Sequence, residues 1–211
     1  MLLTFPQTRS LLEKYGLPLV STVVTRDLGQ ALVAARKVGY PIVLKATGAS
    51  INHKTEKGLV FTGIWTDGEL RQNFFQLNKA VRSVGDAGVF YLVQKQLSGA
   101  ELIIGGKRDP AFGPVILFGT GGIYAELLDD VAIRVCPIGR EDARQMLYET
   151  HAKKFIAGFR SRKMGEEPMV GLLLKAARMM MENDWICEFD FNPVIAGEAG
   201  ATIVDARVAV Q

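Results

Sequence analysis

A lysine and a histidine stand eight residues apart where an apolar run opens into a charged loop. Residues 41–44 read Pro-Ile-Val-Leu, a pattern typical of a buried strand, and Lys45 follows directly. A strand that ends in a lysine and continues as a cationic loop suits the binding of phosphate groups. His53 lies in that loop, and a neutral imidazole is a good nucleophile near neutral pH. The alternative is a solvated histidine, the more common state of a lone histidine in a polar loop.

The polar residues of the C-terminal strands form a second candidate site. Polar and apolar side chains alternate from residue 187 to 192, which places Glu188, Asp190 and Asn192 on one face of a strand. Asp205 comes thirteen residues after Asn192, and Arg207 shares a strand face with Asp205. Two adjacent strands of this kind would offer oxygen ligands to one place, and magnesium prefers such oxygens together with phosphate oxygens. The alternative is the solvent-exposed polar face of an edge hairpin.

Two further stretches carry weaker signals. Residues 94–101 end a strand and supply an acid, Glu101, so they could meet adenine and the hydroxyls of a ribose, although ordinary hairpins look the same. Residues 118–122 read Phe-Gly-Thr-Gly-Gly, and the exposed N–H groups of a glycine loop can cradle an anion. This loop lacks the spacing of both common nucleotide-binding glycine motifs, and a plain tight turn is the alternative.

The composition limits the class of protein. The chain has 211 residues, 48% of them hydrophobic, and can bury a core as one domain or as two small lobes. Its 25 basic and 22 acidic residues nearly balance, so we expect no nucleic-acid partner. No apolar run reaches membrane length and no signal pattern opens the chain, which predicts no membrane association and a cytoplasmic location. Cys136 and Cys187 lie far apart and are expected to be reduced core residues. His151 has no acidic or cysteine residue at ligand spacing and is interpreted as structural.

Helical and strand patterns are interspersed along the chain. Helices are predicted at 11–15, 28–38, 66–81, 140–157 and 170–180. Strands are predicted at 20–24, 41–45, 59–64, 89–95, 101–105, 114–118 and 131–135, with two or three more within 185–209. Because hairpins dominate the C-terminal half, this is an α+β or mixed α/β fold and not a parallel Rossmann array. The expected boundary divides the chain into residues 1–95 and 96–211.

Taken together, these stretches resemble the ATP-grasp domain of ADP-forming acyl-CoA synthetases, related to the succinyl-CoA synthetases, in the form of a separate β subunit. The resemblance covers essentially the whole chain. Its motifs, in family order, are residues 39–45 with 53–56, 109–115, 118–123, 188–193 and 204–207. The family usually reads Gly-Gly-Val after the histidine loop, whereas Leu59 and Val60 follow Gly58 here. Ser161 replaces a usual glycine.

The resemblance implies an α+β ATP-grasp fold with the nucleotide site between two lobes. Residues 1–95 would form the lobe with the phosphohistidine loop, and residues 96–211 the lobe with the magnesium and nucleotide site. Lys45 would bind the phosphates of ATP or ADP. Gln94 and the backbone around Leu97 would meet adenine, and Glu101 would meet the ribose hydroxyls.

The same resemblance implies the metal ligands and the reacting group. Asn192 and Asp205 would hold Mg²⁺. His53 would be a phosphohistidine that receives phosphoryl from a histidine of a partner subunit and gives it to ADP. Arg207 would stabilise charge, with Arg134 and Arg160 as further candidates for this role. Glu126 would be a partner for such an arginine or an anchor of its loop. The partner would be an α subunit that carries the CoA-binding domain and the first phosphohistidine, in an α2β2-type hetero-oligomer.

Two other functions fit an ATP-grasp domain. One is a stand-alone ligase that activates a carboxylate as an acyl phosphate and joins it to an amine, without a phosphohistidine. The other is a non-catalytic ATP-binding module of an acyltransferase assembly, which would bind ATP without turnover.

Overall fold

A computed structural model describes residues 1–47, 58–84, 89–121, 130–159 and 163–211, and these residues pack as two compact units. The small unit is Val20–Leu97, and the large unit combines Met1–Leu19 with Ser98–Gln211. This grouping places the first nineteen residues with the C-terminal part of the chain, whereas the sequence division assigned them to the lobe of residues 1–95. As a division of function, that boundary stays a prediction.

Most helices and strands follow the sequence patterns, although the first helix begins at Phe5 and the strand expected at 101–105 extends over Ala100–Asp109. In chain order they are α1 (Phe5–Lys14), β1 (Thr22–Thr25), α2 (Leu28–Val38), β2 (Ile42–Thr47), β3 (Val60–Ile64), α3 (Asp67–Val84), β4 (Phe90–Lys95), β5 (Ala100–Asp109), β6 (Gly113–Thr120), β7 (Val131–Val135), α4 (Arg140–Glu149), α5 (Lys153–Ile156), α6 (Glu166–Glu182), β8 (Ile186–Ala196), β9 (Ala201–Ile203) and β10 (Ala206–Val210). The single helix expected at 140–157 is two helices, α4 and α5.

The small unit is a four-stranded antiparallel sheet in the order β1-β4-β2-β3. Alternate residues of its central strand β2, among them Ile42 and Leu44, join the core formed with helices α2 and α3. Asp27 caps α2 by accepting a hydrogen bond from the N–H of Gln30 at 2.8 Å. Gly39 ends that helix with φ 83°, a conformation that favours glycine.

The other face of the small sheet carries the candidate residues of this unit. Lys45 pairs with Leu92, and Val43 pairs with Gln94, in the β2–β4 register. Because strand side chains alternate between faces, these four residues lie on the face opposite α2 and α3. All four are buried.

The large unit is an antiparallel sheet in the order β10-β8-β5-β6-β7, with β9 paired to β8. Helices α4 and α6 pack on one face, and Phe118 of β6 and Phe191 of β8 are fully buried in this core. Gly106 of β5 is required there, because a Cβ at this position would lie 2.3 Å from the ring of Phe189.

The N-terminal segment is tied to the edge of the large sheet. The N–H of Leu3 donates to the carbonyl of Val208 at 2.9 Å, and Leu2 forms a bridge with Ala209, so the segment covers strand β10. Leu11 and Leu12 of α1 pack in the large core. These contacts explain why residues 1–19 belong to the large unit.

None of the helices in the described parts of the chain is both long and apolar enough to cross a membrane. Cys136 and Cys187 are free, as the sequence predicts, but both are half-buried and not core residues. Burial raises the pKa of the Cys136 thiol to about 11, so it stays protonated at neutral pH.

Candidate functional site

The small unit holds three predicted nucleotide ligands on or beside its central strands. Lys45 is only 5% exposed, so strand β2 places this lysine where its contact with water is small. Gln94 lies on β4, where its Nε2 donates to Thr22 Oγ1 at 3.0 Å. This hydrogen bond holds the amide in place on the sheet. Leu97 follows β4 and is half-buried.

The large unit holds the predicted ribose ligand. Glu101 lies on β5 opposite Ile195 of β8, and its side chain is exposed. Its neighbour Leu102 is fully buried in the core, so alternation turns Glu101 to the sheet face opposite the helices.

Strands β8 and β10 are neighbours, which confirms the predicted pairing of the two polar C-terminal strands. The N–H of Asn192 donates to the carbonyl of Asp205 at 3.1 Å, so these two residues are adjacent. An amide and a carboxylate supply hard oxygens of the type that Mg²⁺ prefers. No group of three His, Cys, Asp or Glu side chains suited to a metal is found in the described residues. The pair therefore fits a magnesium ion that also takes oxygens from nucleotide phosphates and water.

Asp190 is the residue that the structure adds to this group. It lies directly opposite Arg207 in the β8–β10 register. Burial raises the pKa of the Asp190 carboxyl, the negative charges of Asp205 and Glu188 raise it further, and the charge of Arg207 lowers it. Sequence alternation had placed Asp190 on the polar face, but only the strand register shows that it faces Arg207.

The Asp190–Arg207 pair makes a pH-dependent contribution to stability. Because the pKa of Asp190 is raised on folding, stability falls as the pH rises from its unfolded value, about 3.9, through the folded value. Replacing Arg207→Gln raises that pKa further. We expect the variant to lose about 1–2 kcal/mol at pH 7, less than a fully buried pair would, and much less at pH 3.5.

Thermal unfolding of both proteins at the two pH values measures this difference. The double variant Arg207→Gln with Asp190→Asn is the control, and it should recover most of the stability at pH 7. An equal loss at both pH values in the single variant would contradict the pairing.

The remaining candidate residues fall into two groups. His53, Arg160 and Glu126 lie outside the described residues. Arg134, a further candidate for charge stabilisation, lies on β7 opposite Ile116 of β6, and its Nη2 donates to Glu149 Oε1 of α4 at 2.5 Å. The structure thus gives Arg134 a partner on the face opposite Asn192.

His151 has an acidic partner that its sequence spacing hid. Its Nδ1 lies 3.1 Å from Asp130 Oδ1, and its backbone N–H donates to the same carboxylate at 2.9 and 3.1 Å. Twenty-one residues separate the two, and only the pairing of β6 with β7 brings Asp130 to the end of α4. No local sequence signal could have shown this contact.

Comparison with known proteins decides the family. The model of the ATP-grasp domain matches residues 1–210. The β subunit of ADP-forming acetate–CoA ligase II from Pyrococcus furiosus is 37% identical over 217 residues, which covers 97% of this chain and 90% of the relative. The chain belongs to this ATP-grasp family. The resemblance read from the five motifs is confirmed.

Longer relatives and solved structures agree. The ADP-forming acetate–CoA ligase II of Archaeoglobus fulgidus is 36% identical over 211 residues, but the chain spans only 30% of its length. A structure of the acetyl-coenzyme A synthetase 1 of Ca. Korarchaeum cryptofilum matches with TM-score 0.84 and 34% identity, covering 100% of this chain and 93% of that one. That protein was solved with coenzyme A and Mg-AMPPCP, its phosphohistidine segment pointing towards the nucleotide-binding site. The ATP-grasp fold, with its mixed helices and sheets, is likewise confirmed.

Proposed function

We propose that this chain is the nucleotide-binding subunit of an ADP-forming acyl-CoA synthetase. The assembled enzyme would convert acetyl-CoA, ADP and phosphate into acetate, CoA and ATP, and the reverse. The observation that carries the proposal is the match to a separate β subunit over 90% of its length, because that relative is itself one subunit of such an enzyme. The longer Archaeoglobus relative supports a second subunit in the proposed enzyme, because this chain matches only 30% of that relative's length.

We assign the proposed nucleotide contacts to individual residues. Lys45 offsets the charge of the phosphates, and its burial strengthens that interaction because little water screens it. Gln94 and the backbone around Leu97 bind adenine, and Glu101 accepts hydrogen bonds from the ribose hydroxyls. A hydrogen bond to a charged acceptor of this kind contributes more to the free energy of binding than one to a neutral acceptor.

Asn192 and Asp205 hold the magnesium ion in this proposal, and the adjacency of the two residues supports it. When bound, Mg²⁺ neutralises charge on the phosphate oxygens during phosphoryl transfer. Arg207, which lies opposite Asp190 in the β8–β10 register, stabilises charge beside them.

His53 carries the phosphoryl group between the two subunits. A ring nitrogen of His53 forms a bond to phosphorus as the bond to the partner subunit's phosphohistidine breaks. A β-phosphate oxygen of ADP then attacks the same phosphorus, the bond to His53 breaks, and ATP forms. Phosphoryl transfer of this kind depends mainly on positioning and charge neutralisation, which the side chains above provide.

The CoA-binding domain and the first phosphohistidine belong to an α subunit, and we propose an α2β2-type assembly in the cytoplasm. The synthesis of acyl-CoA then needs both subunits. The isolated chain should bind nucleotide without forming a thioester.

Calorimetric titration of the isolated chain with ADP tests this proposal. We expect binding in the presence of Mg²⁺ that weakens at least about tenfold with a chelator, since the metal links protein and phosphates. Asp205→Asn should remove most of this magnesium dependence. Asp184→Asn, at a side chain that is 95% exposed, is the matched control and should retain it. Absence of ADP binding, with and without Mg²⁺, would refute the proposal.

A further inference from the structure

The backbone around Glu101 is held tightly from both neighbouring strands. On one side, a Cβ at Gly99 would lie 2.4 Å from the carbonyl oxygen of Ala196 in β8. On the other, the N–H of Gly121 donates to the carbonyl of Glu101 at 2.7 Å. A Cβ at Gly121 would lie 3.0 Å from the carbonyl carbon of Glu101. The position of Glu101 therefore depends on how closely residue 121 approaches it.

The neighbouring residue Thr120 fixes how closely Gly121 approaches Glu101. Thr120 ends β6 opposite Leu102 of β5, and its hydroxyl donates to Asp130 Oδ2 at 2.5 Å. A hydroxyl–carboxylate hydrogen bond of this length is among the stronger ones in proteins. Asp130 is only 9% exposed, and its carboxylate is itself held by the N–H of His151 at the end of α4.

The backbone between Asp130 and Glu101 leaves little room to move. Gly119 pairs with Val131, and a Cβ at Gly119 would lie 2.7 Å from the carbonyl oxygen of Asp130. The residues from 119 to 121 are thus packed closely against Asp130 on one strand and against Glu101 on the other. Interiors this closely packed transmit small displacements from one strand to the next.

We propose that Asp130 and Thr120 are positioning residues that set the place of Glu101 at the nucleotide ribose, acting through the close contact of Gly121. This inference rests on the proposed role of Glu101 as the ribose ligand. Neither Asp130 nor Thr120 touches the nucleotide. Their effect is on the selectivity for ribose hydroxyls, because a displaced carboxylate can no longer meet them at hydrogen-bond distance.

The test compares the affinities of the chain for ADP, 2′-deoxy-ADP and 3′-deoxy-ADP in the presence of Mg²⁺. The unmodified chain should prefer ADP by about tenfold or more, the value of a hydrogen bond to a charged group. Glu101→Ala should abolish this preference. Thr120→Val, which removes the hydroxyl, and Gly121→Ala, which pushes against Glu101, should each reduce it at least about threefold. Thr120→Ser keeps the hydroxyl and should preserve it.

The ratio of the affinities for ADP and for the two deoxy nucleotides distinguishes a displaced Glu101 from a general loss of structure. A variant that binds all three nucleotides more weakly by the same factor has lost structure only, and that result would overturn the inference. Gly171→Ala is the control for a glycine replacement in the same unit, because a Cβ there meets nothing within 4 Å. If Thr120→Val does not fold, Gly121→Ala and Asp130→Asn decide the question with the same ratio.

The outcomes also distinguish this inference from the function on which it rests. If Glu101→Ala loses the ribose preference while Thr120→Val and Gly121→Ala keep it, the ribose role of Glu101 stands and the positioning role is wrong. If the unmodified chain binds the three nucleotides equally, both roles are wrong. If the chain binds no nucleotide, the proposed function itself fails.

Discussion

Replacing His53→Ala is expected to abolish ATP synthesis from acyl-CoA, ADP and phosphate by the enzyme assembled with its partner subunit. The imidazole forms the covalent bond to phosphorus, and alanine has no nucleophile to replace it. Loss of a covalent nucleophile lowers turnover by roughly a thousandfold or more in enzymes of other classes. The measurement is the rate of ATP formation with the co-purified partner at saturating substrates.

Binding and fold should survive this replacement. ADP should bind the His53→Ala chain with an affinity close to that of the unmodified chain, because the nucleotide contacts lie on other residues. The chain contains one other histidine, His151, which allows a matched replacement. Full ATP synthesis by the His53→Ala enzyme would instead favour a ligase without a phosphohistidine.

Lys45→Met should weaken ADP binding by about 10- to 100-fold. The ammonium group is the proposed contact to the phosphates, and losing a charged hydrogen-bond partner costs about 1.5–3 kcal/mol. Methionine is close to lysine in length and is apolar, so it suits a position that is 5% exposed on β2. Calorimetric titration with Mg²⁺ and ADP measures the change.

Lys79→Met is the control for Lys45→Met. Lys79 lies exposed on helix α3 of the same unit, so its replacement removes the same charge away from the proposed site. Equal ADP affinities for the two variants would show that Lys45 makes no contact with the phosphates. Weaker binding by the Lys79 variant alone would place the nucleotide elsewhere on this unit.

Local patterns in the sequence were sufficient to predict most of the helices and strands. The apolar stripe from Leu28 to Val38, closed by Gly39, predicted helix α2 at its full length. Strand β7 lies at Val131–Val135, the range predicted for it. Such elements depend on residues close in sequence, where side-chain period and glycine conformation act directly.

The long-range contacts could not be predicted, because they depend on strand order. Leu2 and Leu3 carry no signal for pairing with β10, although that contact joins the N-terminus to the large unit. Asp130 meets His151 only because β6 and β7 pair and α4 ends beside them. A sequence read by itself contains the donors and acceptors but not the register that brings them together.

In the candidate site too, the local patterns could be predicted from the sequence and the long-range contacts could not. Alternation placed Asn192 and the residues before it on one face, and their neighbour strand was predicted correctly. The opposition of Asp190 and Arg207 needed the β8–β10 register. His53 and its loop rest on the family motif, and their role stays a proposal.

The central claim is that a phosphoryl group rests on His53. The most direct measurement is to incubate the chain with its partner subunit, acetyl-CoA and ³²P-labelled phosphate without ADP, and to locate the label by peptide mass spectrometry. We predict an acid-labile, base-stable phosphoryl group on His53 that ADP with Mg²⁺ removes as ATP, present in His151→Ala and missing in His53→Ala. A label that survives acid, or one found on this chain at any other residue, contradicts the account.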